Sequence, residues 1–172
     1  VSAKAEWHVF NASAMTTELQ LELWCDDSLK AASLAQEVFD LFGRLDAQMS
    51  RYKPASELSG INRAAYELPV KVSSNLFYVL QQAQHIATVS QGAFDISFAS
   101  IGFLYDYRAK LQPAKGDVTH LKPLVNFEGI ILDSEKQTVH FKQPGIRLDL
   151  GGIAKGYAVD LGVEVLMQAG IE

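Results

Sequence analysis

Thr17-Glu18-Leu19-Gln20-Leu21-Glu22-Leu23-Trp24-Cys25 alternates without a break, with Leu19, Leu21, Leu23 and Cys25 on one side and Glu18, Gln20, Glu22 and Trp24 on the other. A period of two marks a strand with one buried and one wetter face, as antiparallel sheets have; the strands of a doubly wound parallel sheet, covered on both faces, read instead as continuous apolar runs. Upstream, Trp7 to Phe10 reads as a weaker strand that can pair with it across an Asn11-Ala12-Ser13 link. Towards the other end, within a connecting stretch from Asp117 to Gln143, Gly129 to Asp133 and Thr138 to Phe141 read as a second hairpin turned at Ser134-Glu135-Lys136. Pro144-Gly145 then turns the chain into a strand from Ile146 to Leu150.

Helical spacing appears three times. Asp26-Asp27-Ser28 offers N-cap oxygens to a helix whose apolar stripe is Leu34, Val38, Leu41, Phe42, Leu45 and Met49. A second helix starts at Ser73 or Ser74, turns Leu76, Val79, Leu80, Ala83, Ile86 and Ala87 inward, and ends at Gly92. A third, Ala154 to Ala169, carries Tyr157, Ala158, Leu161, Val165 and Leu166 on one side and is stopped by Gly170. The predicted fold class is therefore α+β: a mostly antiparallel sheet packed against about three helices, in a single domain over residues 1–172. Gly170 followed by β-branched Ile171 looks like a helix stop leading into another strand, so the chain is expected to be incomplete at its C-terminus. It starts at Val1 rather than methionine, which implies processing, cutting or engineering that would have removed any export signal or lipid anchor.

Composition excludes several classes. The net charge is −5, with no basic stripe to meet a nucleic-acid backbone. Cys25 is the only cysteine, so neither an internal disulfide nor a thiol zinc site can form, and His8, His85, His120 and His140 lack metal-ligand spacing. No apolar run reaches the ~18 residues that a membrane span needs. With 48% hydrophobic residues in 172, the chain can bury a sizeable core.

Four segments can carry chemistry. Asp149-Leu150-Gly151-Gly152-Ile153-Ala154-Lys155-Gly156-Tyr157 joins a predicted strand to a predicted helix through paired glycines, with a lysine in the first helical turn. Such a junction can receive a phosphate at the helix N-terminus, or the glycines can simply let strand and helix pack closely. The run is neither a Walker loop nor Gly-x-Gly-x-x-Gly. In the polar stretch from Ser50 to Arg63, Tyr52 can stack a flat ring and Arg51 or Lys53 can bind an anion, or the stretch is a solvated connection between helices. In Gly92-Ala93-Phe94-Asp95-Ile96-Ser97, Asp95 can bind a ring edge or ribose, or cap the next helix. In Ala14-Met15-Thr16-Thr17, Met15 reads as core filler.

In these four places, and in this order, the chain resembles the FAD:protein FMN transferases, the ApbE family. The matching residues are Met15-Thr16-Thr17; Met49-Ser50-Arg51-Tyr52 with Ser56-Glu57-Leu58 and Asn62; Gly92-Ala93-Phe94-Asp95-Ile96; and Asp149 through Asp160. The resemblance implies transfer of FMN from FAD to a Ser or Thr hydroxyl of an acceptor protein, with release of AMP and help from Mg²⁺. It implies that Met15 and Tyr52 line the flavin or adenine part of an FAD pocket and that Ala93, Phe94 and Asp95 contact the nucleotide. Asp149 would then hydrogen-bond the cofactor and Lys155 lie near the diphosphate, while Gly152 matches a metal-binding position that only its main-chain carbonyl could fill. It further implies a periplasmic protein, anchored as a lipoprotein by a residue other than Cys25. A flavin-binding module without catalysis, and a hydrolase cleaving FAD to FMN and AMP, are the alternatives. The chain departs from the family in two places. Where members run Gly-Pro-Leu-x-x-Leu-Trp, it reads Ser97 to Arg108, which suggests altered pocket walls. The family's later His-Ile-x-Asp-Pro-x-Thr-Gly motif, with its metal-binding carboxylate and hydroxyl, has no counterpart in these residues, so the implied magnesium site is incomplete within them.

Overall fold

The alternating strand has its partner. In the computed structural model, which describes residues 4–105, 110 and 112–171, β1 (Glu6–Ala14) and β2 (Thr17–Cys25) form an antiparallel hairpin in register from Glu6 opposite Cys25 to Ala14 opposite Thr17. The Asn11-Ala12-Ser13 link expected from the sequence is thus strand, and the turn is only Met15-Thr16. Both turn residues have positive φ, +51° and +62°, as the tight turn that matches strand twist requires. Neither is glycine or asparagine, the residues that normally signal such a turn, which is why the sequence pattern misplaces it.

The chain divides into two compact units, one formed by residues 1–47 with 154–172 and the other by residues 48–153. In the first, the hairpin's inner face gives Leu23 and Cys25 to a buried cluster with Ala31 and Leu34, and Phe10, Leu21, Leu166, Ala169 and Ile171 pack against it. Ala31 and Leu34 lie on α1 (Ser28–Met49), which starts where Asp27 Oδ1 accepts the N–H groups of Leu29 and Lys30 at 2.9 and 3.0 Å. The later helix of this unit, α6 (Ala154–Gln168), brings Gly162 close to α1: a Cβ there would lie 3.3 Å from Val38 and 3.4 Å from Phe42. Gly170, at φ +75°, follows α6 as expected.

The second unit holds α2 (Glu57–Ala64), β3 (Val70–Lys71), α3 (Ser74–Val89), the single turn α4 (Ala99–Gly102), α5 (Lys115–Leu121), β4 (Ile130–Asp133) and β5 (Thr138–Phe141). Its sheet has the order β3-β5-β4 and is antiparallel throughout. The hairpin and α3 sit where the sequence puts them, with Ser73 as the N-cap of α3 and the Gly92 N–H returning to Ala87 O at 2.8 Å. Ile86 is exposed rather than inward, and Phe77 takes a buried place on α3 instead. α2 lies inside the stretch read as polar connection. Ser56 caps it by accepting the Ser59 N–H at 3.0 Å, and Leu58, Ile61 and Ala65 are buried at helical spacing. Asp106, Tyr107 and Arg108, named above in the departing segment, lie outside the described residues, as do Val1 and Glu172.

Residues 146–150 are a correction. They run extended, with Ile146, Leu148 and Leu150 buried in strand-like alternation, but they join no ladder. Side chains and the carbonyl of Ile96, in a short 3-10 turn, take the place of a neighbouring strand. Asn62 donates Nδ2 to Leu148 O at 3.0 Å and accepts the Leu148 N–H on Oδ1 at 2.7 Å. The Arg147 N–H goes to Ser100 Oγ at 3.0 Å, and the Asp149 N–H to Ile96 O at 3.0 Å. Alternation in a sequence reports burial on one face; it does not report whether a backbone lies alongside.

Two outcomes are expected. Asn62→Ala leaves both main-chain groups of a fully buried residue without partners, which costs about 2–4 kcal/mol of stability by the usual penalty per orphaned group, measurable by urea denaturation. Thr16→Gly relieves a β-branched residue of its left-handed conformation and raises stability by about 1 kcal/mol; an unchanged or lower midpoint would mean that the Thr16 Oγ1–Met15 O bond at 2.7 Å outweighs the strain.

Candidate functional site

The second unit gathers residues from three of the four sequence segments. The first is the loop after α1. Ser50 O accepts Ser56 Oγ at 2.6 Å and Lys53 O accepts Ser59 Oγ at 2.8 Å, so two hydroxyls from the start of α2 hold the loop's backbone. Both serines are buried. This bracing fixes Arg51 and Tyr52. Arg51 Nη2 donates to the Tyr52 hydroxyl at 2.8 Å, and the guanidinium carbon stands 4.8 Å from the Tyr52 ring centroid. Tyr52 is 68% exposed, so one of its faces is open to a flat ligand.

The second is the Gly-Gly turn. Asp149 Oδ1 accepts the Gly151 N–H at 2.7 Å, while Oδ2 lies 3.0 Å from Arg51 Nε. The pair is mostly buried, at 21% and 16% side-chain exposure. Nε itself is shielded from solvent, and although it is close to Oδ2 its N–H is not aimed at a hydrogen-bond acceptor. The contact is thus an ion pair by distance and not a well-directed hydrogen bond. Ile153 N–H closes the turn on Leu150 O at 3.0 Å.

The third segment supplies Ala93, Phe94 and Asp95. Ser90 holds it at the end of α3, accepting the Ala93 N–H on its carbonyl and the Phe94 N–H on its hydroxyl, both at 3.1 Å. The half-buried Phe94 ring lies against the Gly-Gly turn: a Cβ on Gly152 would stand 3.2 Å from Phe94 Cε2. Gly152 therefore acts as a close-packing residue, and its φ lies outside the left-handed region. Asp95 takes the capping role. Its Oδ1 accepts the Ser97 N–H at 2.8 Å and Ser97 Oγ at 2.6 Å, and its Oδ2 accepts the Phe127 N–H at 2.9 Å. Ser97 Oγ in turn accepts the Asn126 N–H at 2.8 Å, tying this loop to residues far along the chain.

Met15 and Lys155 belong to the other unit. Met15 is buried in the β-turn, and Lys155 is exposed in the first turn of α6. The sequence names Arg51 only as an anion binder and gives no sign of its pairing with Asp149, since no local pattern links two loops so far apart. Asn62 is named in the motif, but its clip on Leu148 is legible only in the fold. Among the described residues, no group of three or more His, Cys, Asp or Glu could hold a metal ion. Gly152 has no side-chain oxygen, so the residues present do not by themselves fit a magnesium centre.

Because Asp95 spends three acceptor contacts inside the protein, Asp95→Ala is expected to destabilise the fold by about 2–4 kcal/mol, the cost of orphaning several partly buried donors. Chemical denaturation reads this directly; a loss below about 0.5 kcal/mol would mean that the carboxylate is held for a ligand and not for the fold.

Known proteins share this arrangement of elements. The solved structure of the flavin transferase ApbE from Vibrio cholerae superposes with a TM-score of 0.88 at 24% identity, over 98% of this chain and 56% of that one. The ApbE protein of Thermotoga maritima gives 0.84 at 21% identity, over 95% and 53%. In sequence, the FAD:protein FMN transferase of Klebsiella pneumoniae is 30% identical over 95% of this chain and 51% of its own length, and that of Chlamydia pneumoniae is 35% identical over 75% and 42%. The chain thus spans about half the length of the relatives it matches. Residues 15–172, nearly the whole chain, match the ApbE family, and to that family the chain belongs.

Proposed function

We propose that this chain carries the FAD-holding part of an FAD:protein FMN transferase. The carrying observation is the Asp149 carboxylate, fixed at one oxygen by the Gly151 N–H and at the other by Arg51, with the Phe94 ring against the same turn and the Tyr52 ring beside Arg51. A fixed acceptor on a turn that also packs an aromatic ring, joined through Arg51 to a second, exposed ring, suits a flat ligand with polar edges. In this reading Tyr52 lines the flavin or adenine part of the pocket, and the Ala93–Asp95 loop contacts the nucleotide. Asp149 accepts a hydrogen bond from the cofactor.

The reaction is an attack by a Ser or Thr hydroxyl of an acceptor protein on the phosphorus that carries riboflavin. The new P–O bond joins FMN to the acceptor, the pyrophosphate P–O bond breaks, AMP leaves with the bridging oxygen, and the hydroxyl proton is released. Charge grows on the departing AMP phosphate, so fixed cations and N–H donors near the diphosphate speed the step. Magnesium dependence is part of the proposal as a property of the whole protein, since the residues described here do not make a metal site. A periplasmic, lipid-anchored location also belongs to it; among the described residues no helix is long and apolar enough to cross a membrane.

The test is to incubate the protein with FAD, Mg²⁺ and a threonine-containing acceptor protein, and to follow the acceptor's mass and AMP release. A covalent FMN adduct with matching AMP is the expected result. Free FMN and AMP without adduct would replace transfer by hydrolysis, FAD binding without any AMP would replace it by a carrier role, and no saturable FAD binding would overturn the reading.

A further inference from the structure

We propose that Arg51 is a positioning residue of the FAD site: it acts through Asp149 and Tyr52 together, neutralising the carboxylate and locking the aromatic platform, rather than by binding the ligand's phosphates itself. The proposal rests on the flavin-transferase reading above and adds to it the residue that couples two parts of the pocket.

Three observations carry it. First, one guanidinium reaches both partners, with Nε 3.0 Å from Asp149 Oδ2 and Nη2 2.8 Å from the Tyr52 hydroxyl. A planar fork holds two groups on different edges in a fixed geometry, which the compact ammonium of a lysine does not impose. Second, the Arg51 side chain is mostly buried and its backbone stands in the serine-braced loop, so the guanidinium is not a mobile surface cation free to follow an anion. Third, Asp149 is an anion in a site proposed to hold a diphosphate, which is itself anionic. An uncompensated carboxylate there would repel the ligand, and in a partly buried setting that repulsion is felt far more than in water. The Gly151 N–H satisfies only Oδ1, so Arg51 Nε is the cation that offsets the charge at Oδ2. The unaligned Nε–H fits the same role: the contact serves charge balance and placement more than a directed bond.

Arg51 thereby ties the Ser50–Lys53 loop, with Tyr52 on it, to the Gly-Gly turn. Loss of Arg51 does two separable things. It frees the Tyr52 ring, which weakens stacking, and it leaves Asp149 charged and unpaired, which repels the diphosphate. Removing the charge of Asp149 as well cures the second defect and not the first.

The experiment is a double-mutant cycle read by FAD titration at low and moderate salt, with urea denaturation run on the same four proteins. Arg51→Met is expected to weaken FAD binding by roughly tenfold or more, since each factor of ten is only ~1.4 kcal/mol. Asp149→Asn alone weakens it too, because a charged acceptor becomes a neutral amide with one acceptor oxygen and Arg51 loses its counter-charge. In the double variant Arg51→Met/Asp149→Asn, FAD binds more tightly than to Arg51→Met alone, and that second-site recovery shrinks as salt screens the repulsion. Arg51→Lys falls between wild type and Arg51→Met, because it keeps the charge and loses the fork. A purely structural Arg51 would give coupling in urea midpoints but no recovery of FAD affinity in the double variant, and that outcome overturns the proposal. So does an unchanged FAD affinity in Arg51→Met. If wild type itself binds no FAD, the flavin-transferase reading fails, and the positioning role falls with it.

Discussion

Residues 146–150 pass through buried surroundings with no strand beside them, and their main-chain groups must still find partners. An unsatisfied N–H or C=O in such a place costs more than most side chains can return. Asn62, Ser100 and the Ile96 carbonyl supply the partners, each from a different element of the same unit. The amide of Asn62 does the work of a neighbouring backbone, donating and accepting at Leu148 as a strand residue would. Because Leu148 is clipped and the Asp149 N–H is bonded to Ile96 O, the Asp149 side chain leaves the backbone at a fixed point. The Gly-Gly turn is built outward from that point.

Hydroxyls take a comparable role in the loop that faces it. Ser56 and Ser59 are buried, and their Oγ atoms hold the carbonyls of Ser50 and Lys53 while Ser56 also caps α2. The loop is therefore part of the helix's N-terminus and not a free connection. Its rigidity gives the Arg51–Asp149 contact its character. A pair at 3.0 Å between two exposed side chains on flexible loops would be worth little against the entropy of holding them. Here both loops are held by other hydrogen bonds, so the pair bears only the side-chain part of the ordering cost.

The periodic parts of this fold were legible in the sequence for a plain reason: burial on one face imposes period two or period 3.6. The strand from Thr17 to Cys25, the three long helices and the hairpin from Ile130 to Phe141 all follow that rule. The errors fall where local chemistry departs from it. A turn made of Met15-Thr16 lacks glycine, asparagine or aspartate, so Asn11-Ala12-Ser13 looked like the better link. The apolar residues buried along α2 are Leu58 and Ile61, with Ala65 just past its end, too short a stripe to outweigh Pro54 and Gly60 as loop signals. Residues 146–150 carry a strand's alternation because a core surrounds them, and the absence of a ladder leaves no trace in the side-chain pattern. The Arg51–Asp149 pair has no local signature, since each residue only acquires its partner once two distant loops are folded.

The motif residues that mark the family in this chain are largely engaged in building it. Asp95 caps a helical turn and anchors the Phe127 N–H, Asn62 clips Leu148, Ser56 caps α2, and Gly152 makes room for the Phe94 ring. Each of these would be as necessary in a relative that bound something else, provided the loops kept their courses. What the proposed ligand site adds is narrower: an exposed tyrosine face, a carboxylate with one oxygen held by a main-chain N–H, and the arginine that joins them. A resemblance spread over four motifs thus carries two kinds of information, most of it about how a rigid cradle is made and less of it about what the cradle holds. The side chains that build the cradle decide whether the exposed tyrosine, the carboxylate and the arginine are in place.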